Sequence, residues 1–115
     1  MKTREEVIAF CKQLPEAVED YPFRDPNWTI MRHGANKKWF AAVYQMGELF
    51  QVNVKCEPMK AEFWRSIYPS VLPGYHMNKR HWNTVVLDGS VPEQEIKMML
   101  EDSFYLTKGT GKKQQ

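Results

Sequence analysis

The sequence has very little cysteine, no long apolar run and no apolar signal-peptide pattern in its first ten residues. Its two cysteines among 115 residues, Cys11 and Cys56, are too few and too distant for a disulfide framework. No apolar run approaches the roughly 18–20 residues that a helix needs to cross a bilayer. The N-terminal MKTREEVIAF places two glutamates where a signal peptide is apolar. We therefore expect a cytoplasmic protein that contacts no membrane, with Cys11 as a buried and unreactive thiol.

The sequence also lacks a strong net charge. The formal charge is +2, and the last nine residues, TKGTGKKQQ, contain three lysines and no acid, so that residues 1–106 carry a net charge of −1. A nearly neutral domain lacks the basic field that dominates non-specific nucleic-acid binding. A nucleic-acid site must therefore be a local patch, or the segment 107–115, which we predict to be a flexible basic tail.

What the sequence does contain is enough apolar and aromatic material for one folded domain. Apolar residues make up 43% and aromatic residues 13% of the chain, which excludes intrinsic disorder. The length suits one domain with one core. We predict a single domain over residues 1–106.

Three helices are predicted from their start signals and apolar periodicity. The first begins with a capping box formed by Thr3 and Glu6, in which each side chain accepts from the other's backbone N–H. The second begins at Pro58. The third is predicted to have Ser90 as its N-cap and Glu93 at the capping-box position. Its buried face is expected to consist of Ile96, Met99, Leu100, Ser103 and Phe104.

Four segments have the composition of strands. They are WTIMRH, KWFAAVYQ, LFQVNVK and WNTVVLD. The segment EDYPFRDPNW, which leads into the first of these strands, contains two prolines and is predicted to be an irregular connection anchored by Phe23 and Trp28. The segment PSVLPGY is predicted to be a loop. The order is α-β(3)-α-β(2)-α, which allows one short strand besides WNTVVLD. We predict an α+β two-layer sandwich, an antiparallel sheet covered on one face by helices.

The stretch GYHMNKRHWNTVVLDGS, residues 74–90, concentrates polar and aromatic side chains before the last strand. Together with DYPF, VNVKCEP and the closing LEDSFYL, it resembles the MmcQ/YjbR family of small bacterial proteins, over about residues 5–106. Phe104 stands where tyrosine is common in that family. The resemblance implies an α+β fold similar to the frataxin-like (CyaY-like) and type III secretion chaperone architectures. It also implies a description as predicted DNA-binding, in proteins not known as enzymes.

DNA is the partner that this family description and the side chains of the 74–83 loop favour together. Basic side chains supply charge for phosphates, and the rings between them supply stacking surfaces. The residues expected to contact phosphate are Lys79, Arg80, His76 and His81. The residues expected to stack on bases are Tyr75 and Trp82. The residues expected to orient the loop or touch base edges are Asn78 and Asn83. The residues expected to form a second basic projection, around the predicted hairpin turn GANKK, are Arg32, Lys37 and Lys38.

A purely structural role for the same loop is the alternative. Asn78 is able to cap a single helical turn that leads into the strand at Trp82. Histidine and asparagine side chains are also well suited to pairing the backbone groups of an irregular segment. In that case we expect a protein-binding module, similar to a secretion chaperone, that uses its sheet and aromatic surfaces. The predicted assembly is a monomer or a weak homodimer.

Catalysis and metal binding have little support in the sequence. A nucleophile motif such as GxSxG is absent, and Glu57 beside Cys56 is expected to raise rather than lower the thiol pKa. His76 and His81 are five residues apart, which suits neither a helical pair nor a short strand pair of metal ligands. We predict no catalytic residue, no metal site and no cofactor.

Overall fold

The computed structural model describes residues 1–109. The helices are α1 (Arg4–Cys11), α2 (Pro58–Ile67) and α3 (Glu93–Thr107). The strands are β1 (Ala17–Asp20), β2 (Thr29–His33), β3 (Trp39–Met46), β4 (Leu49–Lys55), β5 (Val71–Pro73) and β6 (Trp82–Val86). They form one sheet in the order β1-β2-β3-β4-β6-β5, and every neighbouring pair is antiparallel. The predicted α+β class with an antiparallel sheet is confirmed.

The helices pack against one face of the sheet and enclose the core. Val52 and Val54 of β4 point into this core, as their alternation with polar residues predicts, and Phe40 of β3 meets Phe104 of α3 there. The two phenylalanine rings are edge to face with centroids 5.0 Å apart, an arrangement that aromatic quadrupoles favour. The predicted buried face of α3 is confirmed, with Ile96, Met99, Leu100, Ser103 and Phe104 all buried.

The sheet has one strand more before α2 than the sequence predicts. β1 pairs with β2 from Ala17↔His33 to Asp20↔Ile30. Its sequence AVED shows no strand alternation and contains three residue types that are depleted in strands, Ala, Glu and Asp, so the backbone pairing with β2 determines its conformation. β5 lies inside the segment predicted as a loop. It is an edge strand of three residues that ends in Pro73, which is tolerated because one side of an edge strand has no partner.

The starts of α1 and α2 are confirmed. Thr3 and Glu6 form the complete capping box at α1, and Pro58 is the first residue of α2. At both positions the local sequence satisfies or removes a backbone N–H that has no partner in the first helical turn.

α3 begins later than predicted. Its N-cap residue is Pro92, and no side chain caps it. Ser90 instead donates from its backbone N and its hydroxyl to Oδ1 of Asp88, at 2.9 and 2.7 Å, and so closes the turn before the helix. The carboxylate of Glu93 accepts from the N-terminal amine at 3.1 Å. The predicted capping box at Ser90 and Glu93 is therefore wrong.

α3 also ends one residue beyond the predicted domain boundary. Thr107, assigned to the tail by the sequence, is buried and donates its hydroxyl to the carbonyl oxygen of Ser103 at 2.8 Å. Nδ2 of Asn36 donates to the carbonyl oxygens of Thr107 and Lys108, both at 3.0 Å. These bonds satisfy carbonyl groups at the helix end and attach it to the β2–β3 turn. Residues 110–115 of the predicted tail lie outside the described residues.

Both cysteines are buried free thiols. Burial raises the pKa of Cys11 to about 12. Burial also raises the pKa of Cys56, and the charge of Glu57 contributes in the same direction. Since the thiolate is the reactive form, Cys11 is an unreactive thiol at neutral pH, as predicted.

His33 is a buried titratable group in the core. Its ring centroid lies 5.3 Å from that of Phe40 and 4.4 Å from that of Phe104, and its Nε2 is 2.8 Å from the hydroxyl oxygen of Thr107. Burial lowers the pKa of His33 below its ordinary value of about 6.5. Just below that value the unfolded chain binds a proton that the folded chain does not, so the free energy of unfolding decreases as the pH falls through about 6.5.

We expect this dependence of stability on pH to be visible in thermal unfolding. The melting temperature should fall as the pH is lowered from about 7.5 to about 5.5, and His33→Gln should lose much of that dependence, because glutamine keeps a donor for Thr107 and does not titrate. Circular dichroism melts across this range make the measurement. Gln51→Ala, which removes no titratable group, is the control and should keep the wild-type pH dependence. An unchanged pH dependence of the melting temperature in His33→Gln would contradict the assignment of this dependence to His33.

Candidate nucleic-acid interface

Two irregular segments, residues 21–28 and residues 74–81, cover part of the sheet face opposite the helices. Trp28 of the first segment stacks on Tyr44 of β3 with ring centroids 4.2 Å apart. Tyr75 of the second lies 5.7 Å from Tyr44 and 6.3 Å from Trp28, centroid to centroid. The polar and aromatic stretch of the sequence is therefore part of an aromatic layer on this face.

A buried hydrogen-bond network under this layer attaches the 74–83 loop to the sheet. Oδ1 of Asn53 accepts from the hydroxyl of Tyr44 at 3.0 Å and from that of Thr84 at 2.6 Å. Nδ2 of Asn53 donates to the carbonyl oxygen of Tyr75 at 2.9 Å, and the Tyr75 N–H donates to Thr84 at 2.8 Å. Both Asn53 and Thr84 are buried. The network satisfies buried polar groups and fixes the start of the loop.

The loop also satisfies its own backbone. Oδ1 of Asn78 accepts from the backbone N–H groups of Arg80 and His81 at 2.9 and 3.2 Å, which confirms the predicted cap of the turn before β6. Nζ of Lys79 donates to the carbonyl oxygen of Gly74 at 2.8 Å. His76 has φ +61, a left-handed conformation that costs a non-glycine residue about 1–2 kcal/mol. These contacts hold one loop conformation and engage the Lys79 ammonium, which the sequence assigned to phosphate.

Asn83 is not available for base contacts. It is 1% exposed. Its Oδ1 accepts from Nη1 of Arg65 at 2.7 Å, and its Nδ2 donates to the carbonyl oxygen of Ala61 at 3.2 Å. The expectation that Asn83 touches bases is therefore wrong, because its position in β6 points the side chain towards α2.

Two lysines meet the loop where β3 begins and β4 ends. A cavity of about 270 Å³, here called the basic cavity, is lined by Lys38, Trp39, Lys55, Met77, Trp82 and Thr107. Lys37 and Arg80, next to it along the chain, are exposed. Within residues 1–109, neither these two side chains nor Lys38 and Lys55 form a salt bridge. The sheet thus brings hairpin lysines and loop residues to one place, with their charges available.

Arg32, in contrast, is engaged within the domain. Its Nε lies 2.5 Å from Oδ2 of Asp20, its Nη1 donates to the carbonyl oxygen of Lys37 at 2.9 Å, and its guanidinium lies over the ring of Trp39 at 5.7 Å. The ion pair neutralises its charge. The predicted role of Arg32 in the second basic projection does not fit this arrangement, whereas Lys37 and Lys38 remain candidates.

A larger cavity adjoins the basic cavity. It has a volume of about 430 Å³, is here called the aromatic pocket, and is lined by Phe23, Asp25, Trp28, Trp39, His76 and Met77. Trp39 and Met77 line both cavities. The walls meet nearly at right angles, because the Phe23 ring is edge to face with both Trp28 and Trp39.

The sequence alone points to only part of this surface. Phe23 and Trp28 are recognisable as anchors of an irregular segment, but not as walls of a pocket. Asp25 carries no local signal, because it is a common charged residue within an irregular segment. A weak signal for Lys55 is its place at the end of β4, where strand pairing sets it opposite Trp82.

Other kinds of site have less support in the described part of the chain. Among residues 1–109, no three histidine, cysteine, aspartate or glutamate side chains come together as metal ligands would. Over the same range, none of the helices has the length and apolar character needed to cross a membrane.

These features define a class: a small α+β domain with helices on one face of an antiparallel sheet and an aromatic and basic loop surface at the other. The chain belongs to the YjbR family, whose model matches residues 12–106. The family predicted from the sequence is confirmed.

Relatives of this chain are found in several bacteria. It is 37% identical to the uncharacterized protein YyaQ of Bacillus subtilis, over 94% of this chain and 100% of YyaQ. It is 30% identical to the uncharacterized protein YjbR of Escherichia coli, over 89% of this chain and 84% of YjbR. Neither name states a ligand or an activity.

Two solved structures have a similar fold. The crystal structure of Deinococcus radiodurans protein DR2400, a DUF419 domain, matches with a TM-score of 0.87 and 32% identity, covering 96% of this chain and 82% of DR2400. The crystal structure of a Pseudomonas syringae protein matches with a TM-score of 0.82 and 31% identity, covering 91% of this chain and 98% of that protein.

Proposed function

We propose that the domain is a non-enzymatic module that binds DNA through the basic cavity and the 74–83 loop. The observation that carries the proposal is the position of Lys38 and Lys55 in one cavity with Met77 and Trp82. Cationic side chains without internal partners attract phosphates, and a neighbouring indole offers a stacking surface. The resemblance to a family described as predicted DNA-binding supports the same function.

The structure alters the roles proposed for individual residues. Lys38, Lys55 and Arg80 are the main phosphate contacts, because their charges have no internal partner among residues 1–109. Lys37 extends this surface at the hairpin turn, and Trp82, half-buried at the cavity wall, stacks.

The other loop residues have supporting roles in this proposal. Asn78 shapes the turn, and Lys79 closes the loop on Gly74 while its charge adds to the local field. His76 is exposed and His81 half-exposed, and both face phosphate at the edge of the surface. Tyr75 belongs to the aromatic layer and contributes the exposed part of its ring.

We expect moderate, strongly salt-dependent affinity, because the domain as a whole carries little net charge. Non-specific binding of this kind gives dissociation constants of about 10⁻⁴–10⁻⁶ M at physiological salt. The double variant Lys38→Ala/Lys55→Ala should bind roughly tenfold more weakly and should reduce the slope of log K against log salt by about one per lysine. Fluorescence anisotropy with labelled DNA at several salt concentrations makes the measurement.

A matched control has the same charge change on the helical side of the domain. Lys60 and Lys97 form surface ion pairs with Asp102 and Glu93, which contribute little to stability, so Lys60→Ala/Lys97→Ala should keep wild-type affinity. A chain ending at Gly109 separates the contribution of the tail lysines while keeping Thr107 and Lys108. Equal losses of DNA affinity in both double variants would mean that only the net charge of the domain matters. They would contradict the proposal that DNA binds at the basic cavity.

The second candidate is protein binding, favoured by one observation on α2. Met59, Phe63 and Ile67 follow one another at helical spacing on its outer face, and they are 86%, 53% and 45% exposed. Such a row is typical of a helix face that packs against another protein. If the unaltered chain binds no DNA even at low salt, this face becomes the first surface to examine.

A further inference from the structure

The aromatic pocket has the shape and chemistry of a binding site for a flat, unsaturated group. Phe23 is edge to face with Trp28 at 6.3 Å and 80°, and with Trp39 at 5.8 Å and 76°, centroid to centroid. The volume of the aromatic pocket, about 430 Å³, falls in the range of small-molecule sites, about 300–1,000 Å³. Phe23 is 46% exposed, so nearly half of its apolar surface remains in contact with water beside these two rings.

The pocket is preformed, because its outer segment is bonded to the sheet. Asn27 lies between pocket residues Asp25 and Trp28. Its Oδ1 accepts from the Gln45 N–H at 2.8 Å and its Nδ2 donates to the Gln45 carbonyl oxygen at 2.8 Å. Arg4 donates to the Asn27 carbonyl oxygen at 2.6 Å and to its Oδ1 at 3.0 Å. Little conformational freedom remains to be lost on binding, which favours affinity.

The charges around the pocket are segregated in a way that matches a nucleotide. Trp39 and Met77 are shared with the basic cavity, so Lys38 and Lys55 lie next to one side of the pocket. Asp25 lines the pocket itself. It forms no salt bridge within residues 1–109, and one of its oxygens accepts from the Asn27 N–H at 2.9 Å. The lysines suit a phosphate, and the two carboxylate oxygens, which both retain acceptor capacity, suit a pair of adjacent hydrogen-bond donors.

We propose that the aromatic pocket takes one unpaired base of a single DNA strand while the basic cavity holds an adjacent phosphate. The proposal rests on the DNA-binding function proposed above and specifies its substrate class. A base within an intact duplex is stacked and paired, so it cannot enter the pocket, whereas a base of a single strand stacks readily on aromatic side chains.

Asp25 makes the pocket selective for guanine. A carboxylate only accepts hydrogen bonds. Guanine offers two adjacent donors, N1–H and N2–H₂, on its Watson–Crick edge, whereas thymine offers a single N–H there. A site built to accept from these donors discriminates against bases that leave its acceptor unpaired.

The test uses fluorescein-labelled thymine oligonucleotides of about ten nucleotides, a length within the site sizes of small domains that bind single-stranded DNA. They contain a central guanine, a central thymine or a central abasic residue, and a duplex of the same length is included. We expect the guanine strand to bind roughly tenfold more tightly than the abasic strand, and both the guanine and the thymine strands to bind more tightly than the duplex. Asp25→Asn should remove the preference for guanine over thymine while keeping thymine-strand binding.

Phe23→Ala tests the pocket itself. It should weaken single-strand binding roughly tenfold and leave duplex binding unchanged. Phe63→Ala, which removes a similarly exposed ring from α2, is the matched control and should change neither. Because Phe23 is half exposed, its replacement should leave the fold intact, which a thermal melt verifies.

The outcomes separate this proposal from the function on which it rests. If duplex and single strand bind equally, or if Phe23→Ala behaves like Phe63→Ala, the pocket proposal fails while DNA binding through the lysines stands. If Asp25→Asn keeps the guanine preference, the assigned role of the carboxylate is wrong. If no DNA of any kind binds, both proposals fail.

Discussion

Asn53→Ala is expected to destabilise the domain by about 3 kcal/mol, because it leaves three polar groups without their partner. The Tyr44 hydroxyl, the Thr84 hydroxyl and the Tyr75 carbonyl oxygen all bond to the Asn53 amide. Each unsatisfied buried group costs about 1–3 kcal/mol, with the lower values for groups that water reaches. Chemical denaturation followed by circular dichroism makes the measurement.

The same variant should loosen the loop before the rest of the domain unfolds. The amide of Tyr75 donates to Thr84, and Thr84 loses its own acceptor when Asn53 is removed. Hydrogen exchange of the Tyr75 amide should therefore accelerate more than exchange in β3. Gln51→Ala is the control, since Gln51 lies on the same face of β4 but is only half-buried, and its cost should stay within about 0.5 kcal/mol. A loss below about 1 kcal/mol for Asn53→Ala would show that the network is not needed for stability.

Gly74→Ala is expected to cost about 2–3 kcal/mol, because there is no room for a side chain at this position. A Cβ at Gly74 would lie 2.7 Å from Cβ of Trp82 and 2.9 Å from its carbonyl oxygen. The latter oxygen already accepts from the Gly74 N–H at 2.9 Å, so the methyl group forces the backbone of the loop away from β6. Under the proposed DNA-binding function, the loss of DNA affinity at a temperature where the variant remains folded should be comparable to that of Lys38→Ala/Lys55→Ala.

Gly47→Ala provides a matched comparison for this steric effect. Gly47 has φ +64 in the β3–β4 hairpin, and a Cβ there would have no atom within 4 Å. Its substitution should cost only the strain of a left-handed residue, about 1–2 kcal/mol, and should leave DNA binding unchanged. Equal costs for the two variants, or full DNA affinity in Gly74→Ala, would contradict the claim that the close approach to Trp82 shapes the loop.

Much of the fold can be predicted from the sequence because the signals that determine it are local. The capping box of Thr3 and Glu6, the proline that opens α2 and the alternation along β4 each involve residues within a few positions of one another. The cap formed by Asn78 is local in the same sense, since its partners lie two and three residues away. Ser90 shows the limit of such signals, because Asp88, two residues earlier, is a better local partner than the helix N-terminus.

The candidate site is harder to predict from the sequence because its residues come from distant parts of the chain. Asn83 has the composition of a base-reading residue, but its partners Ala61 and Arg65 are 22 and 18 residues away. Arg32 has the charge of a phosphate contact, but pairing with β1, a strand without a pattern of its own, places Asp20 beside it. In both cases a tertiary partner removes a side chain that the sequence leaves available.

The sequence by itself determined the family, the α+β class, the helix starts at Thr3 and Pro58 and the cap in the 74–83 loop. It did so because propensity, periodicity and capping act between near neighbours. Only the tertiary structure decided that Lys38 and Lys55 meet the loop and that Phe23, Trp28 and Trp39 enclose a pocket. These contacts depend on the sheet, which brings together side chains that no local rule connects.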